Sequence, residues 1–163
     1  MFIIHRNESG KPSSESAVEN EAISLFDTIR NLEEVIFGGR ILNLVNDIAR
    51  KCAKSHASTN CHTTGIDFVR YYSVIKRDDK LICKACVNRV WNSIIEVGVK
   101  VIAEDFRTLE VRDILSAYFT FKALDDVGKE VSIQQVIPEN DNQKVRYIEA
   151  GKRKKIRDLR KPS

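Results

Sequence analysis

Cys83-Lys84-Ala85-Cys86 places two thiols three residues apart, and Cys52 and Cys61 stand upstream of them with His56 and His62 alongside. All four cysteines and two of the three histidines fall within residues 52–86. Thiolate and imidazole are the donors that zinc takes, and a closed tetrahedral set of four stabilises a fold without reacting. Two thiols at a helix start can face one ion, because the free N–H groups and the helix dipole there favour thiolate charge. Lys80, Lys84 and Arg89 add positive charge nearby. The expected ligands are Cys61, Cys83 and Cys86, completed by Cys52 or His56, with His62 competing for the fourth place. Zinc is the expected cofactor. Cys52 also suits an apolar helical face, where free cysteine packs as a small hydrophobe.

The elements around the thiols are read as follows. Residues 68–76 are rich in aromatic and β-branched types and predict a short strand; 77–80 predict a charged turn; Cys83 and Cys86 open a helix. This order resembles a treble-clef zinc site, which implies a structural metal with no open position. It is also similar to a thioredoxin-like redox site, and Ile137-Pro138 echoes that family's proline. The chain lacks the flanking βαβ pattern, so the redox reading is set aside.

Charge is segregated. Residues 50–89 and 141–163 each hold nine Lys/Arg against three Asp/Glu, leaving a net −8 on the remainder of a chain whose formal charge is +4. Two basic zones on an acidic body predict a polyanion as partner. Lys152, Arg153, Lys154, Lys155, Arg157, Arg160 and Lys161 form the densest cluster, read as a mobile arm that neutralises phosphates or directs nuclear import. Arg70, Lys76, Arg77, Lys84 and Arg89 complete the expected nucleic-acid surface. RNA is preferred to DNA, since no groove-reading helix is apparent. Membrane contact is not expected.

The scaffold reads as mainly α: four core helices, a small zinc-stapled loop or β-hairpin insertion and a basic C-terminal tail. Val18, Ala22, Leu25, Ile29, Leu32 and Ile36 recur at helical spacing, and Gly38-Gly39 should end that helix. A second helix is predicted from about 40 to 54 on Ile41, Leu44, Val45, Ile48 and Cys52, a third from 83 to 106, and a fourth from 108 to 128. The domain reading is a disordered 1–13, a helical domain 14–130 carrying the zinc segment 50–89, a β-hairpin or arm at 131–150, and a tail at 151–163.

At 163 residues this is one ordinary domain. No signal-peptide stretch is seen at the start, so a reducing compartment, cytoplasmic or nuclear, is expected. The sequence holds no P-loop, no Gly-x-Ser-x-Gly and no His-Glu-x-x-His, and its acidic pairs read as solvated. The resulting expectation is a non-enzymatic, zinc-stabilised RNA-binding regulator of a viral accessory or silencing-suppressor kind, with protein partners or self-association through helical faces. The alternative is an oligomeric, matrix-like adaptor whose tail is an import or membrane-contact signal.

Overall fold

The computed structural model describes residues 10–23, 38–76 and 78–162. Its elements run β1 (Lys11–Pro12), a 3-10 turn (Ser13–Glu15), β2 (Val18–Ile23), α1 (Gly38–Ala57), β3 (Asn60–Tyr71), β4 (Asp79–Trp91), β5 (Ile94–Asp105), β6 (Val111–Leu124), β7 (Val136–Ile137) and α2 (Asp141–Leu159). Five strands form one antiparallel sheet in the order β2-β4-β5-β6-β3, and β1 pairs in parallel with β7 in a separate two-stranded ribbon. The four-helix expectation is therefore wrong: the architecture is mixed α/β, with two helices on a sheet.

The error has a physical cause. In and just before the segment read as a third helix, Leu81, Cys83, Ala85 and Val87 are buried at every second position, as are Ile95, Val97, Val99, Val101 and Ala103, with Glu96 buried on the opposite face between the first two of these. That is the period of two of a pleated strand. The opposite face adds Ile82, Cys86, Ile94 and Ile102 among its charged residues, which blurs the alternation until it also fits a helical stripe. The hairpin turns at Asn92-Ser93, where Asn92 adopts a φ of 54°. The predicted fourth helix is likewise β6, with Leu115, Ala117, Phe119, Phe121 and Ala123 inward. The loop read at 55–66 is the end of α1 and the start of β3. Of the first predicted helix, residues 18–23 are a strand, and most of the remainder lies outside the described residues. The predicted disorder at 1–13 falls largely on residues 1–9, also outside them. At 131–150 the hairpin is absent among the described residues: only Val136–Ile137 is extended, and Val145 and Tyr147 are helical.

α1 is the helix that the sequence did show, with Gly38-Gly39 at its start. Its Ile41, Val45, Ile48, Ala49, Cys52 and Ala53 are buried in the main core. At about 1.5 Å per residue it spans about 30 Å, and it packs against all five strands of the sheet. The sheet wraps this one helix, and α2 lies across the other face, against β4. α2 is N-capped by Asn140, whose side chain accepts from the Gln143 N–H at 2.9 Å. The basic tail is thus the second half of a docked helix.

Candidate active site

The thiols do not converge. Residues three apart on a strand point to opposite faces, so Cys83 faces the α1 core while Cys86 faces α2, where its Sγ accepts from Arg146 Nη1 at 3.0 Å. Cys52 lies on the buried face of α1 and Cys61 on the inner face of β3. Burial pushes the Cys52 thiol up to about 12 and the Cys61 thiol up to about 11, so both stay protonated. His56 is buried at the end of α1, with Nε2 3.0 Å from the Gln134 carbonyl and Nδ1 3.5 Å from the Ser16 hydroxyl. Both ring nitrogens are engaged, and burial holds its pKa below the ordinary value. His62 is exposed on β3. No group of three or more His, Cys, Asp or Glu able to hold a metal occurs among the described residues. The zinc expectation, with Cys52, Cys61, Cys83, Cys86 and His56 as ligands, is withdrawn.

The basic residues tell a similar story. Arg153 and Arg157 turn inward onto Glu96, a carboxylate with no exposed surface at the centre of the sheet. Arg157 also clasps Asp67, and Asn88 Nδ2 donates to Glu96 at 3.0 Å. Burial pushes the Glu96 carboxyl up, but the hydrogen bonds from Arg153 and Asn88 and the two guanidinium charges outweigh it and hold the group below its ordinary value. Arg89 stacks 4.2 Å from the centre of the Tyr147 ring, and Arg153 stacks 3.7 Å from that of Tyr118. Lys152 and Lys154 pair with Glu149 and Asp158 on their own helix, and Lys161, just past its end, pairs with Asp158. Arg70, Lys76, Lys84, Lys155 and Arg160 are exposed, and Arg77 lies outside the described residues. The predicted phosphate-binding arm is therefore a latch that fastens α2 to the sheet. Its central carboxylate could not be found in the sequence, where Glu96 sits in an apolar run with its arginine partners 57 and 61 positions away.

Two features bear most directly on a site. A groove of about 700 Å³ lies between the 3-10 turn, the outer face of the sheet and α2, lined in part by Ser13, Lys84, Cys86, Ser116 and Arg146. Its thiol is already bonded to Arg146 and donates to Asn88 Oδ1 at 3.5 Å, so the groove brings together no nucleophile and base. The second feature is a polar cluster where α1 crosses the edge strand β3. Asn46 and Thr63, both half-buried, meet there: the Thr63 hydroxyl donates to Asn46 Oδ1 at 2.9 Å. Arg50, one turn further along α1, donates to the same hydroxyl at 3.4 Å. Residues 46 and 50 share a helical face, and Thr63 follows Cys61 on the inner side of its strand. Three polar side chains thus meet at the rim of the core, beside an unpaired strand edge. Sequence reasoning missed them because nothing in one chain links a helical Asn to a Thr seventeen residues later.

An antiparallel sheet wrapped round one long helix, with a polar cluster at the helix–edge crossing, is the hotdog arrangement of thioesterases. Comparison with known proteins agrees. Residues 33–110 match the profile of the thioesterase superfamily. The chain is 33% identical over 130 residues to Protein VdlD of Helicobacter pylori, covering 80% of this chain and 74% of that protein. It is 31% identical to YkhA of Bacillus subtilis, an uncharacterized acyl-CoA thioester hydrolase, covering 84% of this chain and 80% of that one. The solved acyl-CoA hydrolase of Staphylococcus aureus, in complex with butyryl coenzyme A and coenzyme A, superposes with a TM-score of 0.84 at 31% identity, over 92% of this chain and 91% of that one. The chain belongs to the thioesterase superfamily. Membership overturns the expectations of a non-enzymatic protein, an RNA partner, a viral accessory role and a matrix-like adaptor.

That S. aureus hydrolase has also been solved with alanine in place of an aspartate, of an asparagine fifteen residues before it, and of a threonine seventeen residues after it. Asn31, Asn46 and Thr63 stand at those intervals in this sequence. Asn31 lies outside the described residues. Asn46 and Thr63 are the hydrogen-bonded pair just described.

Proposed function

We propose that this protein binds acyl-coenzyme A thioesters and hydrolyses them to a carboxylic acid and free coenzyme A. The observation that carries the reading is the Asn46–Thr63 pair at the crossing of α1 and β3, at the spacing of residues replaced in the S. aureus hydrolase. Chemically, the reaction needs a site that fixes the thioester carbonyl, admits one water and accommodates an anionic carrier. The chain's excess of basic residues in 50–89 suits coenzyme A phosphates as well as it suited the nucleic acid first expected.

The cluster lies beside the open edge of β3, where Ile66, Phe68 and Val69 are each more than a third exposed. An unpaired edge of this kind invites a second strand. A relative at 28% identity, an apo acyl-CoA thioesterase, is hexameric in its solved structure. We therefore read this edge as an assembly surface that encloses the site; of the helical faces expected to self-associate, that of α1 is buried against the sheet. Relatives in rat, mouse and human are cytosolic acyl coenzyme A thioester hydrolases, which supports a cytosolic location and gives the nuclear expectation no support.

The test is thiol release from a series of acyl-CoA esters, butyryl-CoA among them, followed with a thiol-specific chromophore. Release above the uncatalysed rate, saturable in ester and weakened by Thr63→Ala, is the expected result. Absence of both ester binding and thiol release across the series would overturn the reading.

A further inference from the structure

At the spacing where the S. aureus relative carries an aspartate, fifteen residues after an asparagine and seventeen before a threonine, this chain carries an amide, and the difference bears directly on the chemical step. Hydrolysis adds the oxygen of water to the thioester carbonyl carbon and breaks the C–S bond. The water's proton passes to a base and then to the departing coenzyme A sulfur, giving the acid and the thiol. A carboxylate beside the carbonyl can take that proton; an amide oxygen cannot at neutral pH. In this structure Asn46 Oδ1 is already occupied by the Thr63 hydroxyl. The other head atom of the side chain is an N–H2 donor, where an aspartate would offer a second acceptor. The head group left over is thus a donor where an aspartate would hold an acceptor: it suits a carbonyl oxygen of the ester and cannot serve as base.

No neighbouring carboxylate on the helix replaces it. Asp47 is the next residue, but successive residues on a helix are rotated by about 100°. Its side chain is 72% exposed and lies 3.5 Å from Arg50 Nη1. Arg50 and Thr63, the two other polar groups of the cluster, are a cation and a hydroxyl, neither of which accepts a proton from water at neutral pH.

We infer that Asn46 makes this chain a thioester-holding member of its superfamily, one that binds acyl-CoA through the same site but turns it over slowly for want of a base at the α1–β3 crossing. The inference rests on the function proposed above. Positioned general bases contribute about 10²–10⁴-fold, so restoring the carboxylate should raise turnover by about 10²-fold or more.

The experiment compares the unaltered full-length protein with Asn46→Asp and Asn46→Ala. It measures binding of butyryl-CoA by calorimetry, thiol release from butyryl-CoA, and folding by circular dichroism. Asn and Asp are isosteric and position 46 is half-buried, so the aspartate variant should fold. Expected are similar affinities for the unaltered protein and Asn46→Asp, and a kcat at least about 10²-fold higher in Asn46→Asp. Its rate should gain a new acid limb, falling as the introduced carboxylate protonates. Asn46→Ala should show neither the gain nor the limb, which separates chemistry from a structural effect of the residue. If the unaltered protein binds and hydrolyses the ester as fast as Asn46→Asp, this inference is overturned while the proposed function stands. If neither protein binds or cleaves the ester, both are overturned.

Discussion

Arg153, on the last helix, reaches Glu96 in the middle of the sheet with Nη2 2.7 Å from Oε1 and Nε 3.2 Å from both oxygens. The two residues are 57 positions apart, and the carboxylate has no exposed surface. Removing Arg153 strips three hydrogen bonds from this buried carboxylate, but Arg157 Nη2 at 2.6 Å still faces it, so the loss should stay below the about 3–5 kcal/mol of a buried charge left wholly unpaired. Arg153→Leu should still lower the denaturant midpoint. Glu96→Gln combined with Arg153→Leu should recover part of that loss, because the under-bonded carboxylate is then neutral while Arg157 keeps Asp67. Urea titrations of the three proteins, read by fluorescence of Trp91, check this. Equal stability of Arg153→Leu and the unaltered protein would show that α2 is not fastened here.

Acid should unfold the protein in two stages. Burial depresses the pKa of His56 below its ordinary 6.5. Between the folded value and 6.5 the unfolded chain holds more protons, so stability falls as pH drops through that window. Glu96 is also depressed, with burial opposing and its arginine and asparagine partners prevailing. Its contribution is present above its ordinary 4.5 and is lost as pH falls through the lower folded value. Melting temperatures between pH 7.5 and 3 should show an upper limb below 6.5 and a lower limb below 4.5. His56→Gln should flatten the upper limb alone.

These groups also show where the sequence was readable. Helix α1 was legible because Ile41, Val45, Ile48 and Cys52 repeat on one face and the opposite face is polar. Strands β4, β5 and β6 were not, because the outer face of the sheet is itself covered. Glu96, Tyr118 and Cys86 sit under α2, so both faces carry apolar or buried residues and the alternation fades. Segregated charge was correctly seen, but its meaning lay in tertiary pairing: Arg153 and Arg157 look like a free arm until Glu96 and Asp67 are brought beneath them. The Cys83/Cys86 spacing misled for one reason only, that zinc geometry at a helix start becomes opposite faces on a strand. The Asn46–Thr63 site left no local mark at all.

The thiols should behave as packing groups. With their pKa values raised to about 12 and 11 by burial, Cys52 and Cys61 should resist iodoacetamide at pH 8 in the native protein and react in urea. Mass spectrometry of the alkylated chain reads the outcome site by site. Chelator treatment should leave the melting temperature unchanged. Rapid native alkylation of Cys52, or a chelator-induced fall in stability, would reinstate a reactive or metal-bound cluster.

Gly98 is packed where a side chain has no room: a Cβ there would lie 2.6 Å from Asn88 Nδ2. That nitrogen is the donor to Glu96, so Gly98→Ala must push Asn88 off the carboxylate. Overpacking alone costs about 1–3 kcal/mol, and loss of a hydrogen bond to a buried charge adds about 1.5–3 kcal/mol. Gly65 has nothing within 4 Å of an added Cβ, so Gly65→Ala serves as the control and should change stability by less than about 1 kcal/mol. Thermal unfolding of the two variants side by side decides it.

The assembly proposed at the open edge of β3 bears on the site. Ile66 is 37% exposed on this strand, three residues from Thr63, and lysine on an edge strand opposes pairing with another chain. Ile66→Lys should therefore shift the protein to a smaller species in sedimentation velocity. Because Thr63 and Asn46 lie on the same border, losing the neighbouring chain would open the cluster to water. Butyryl-CoA affinity should then fall together with the assembly, and raising the protein concentration until the oligomer reforms should restore it. A protein that is monomeric before substitution, or a monomeric variant that still binds butyryl-CoA with full affinity, would place the whole site within one chain.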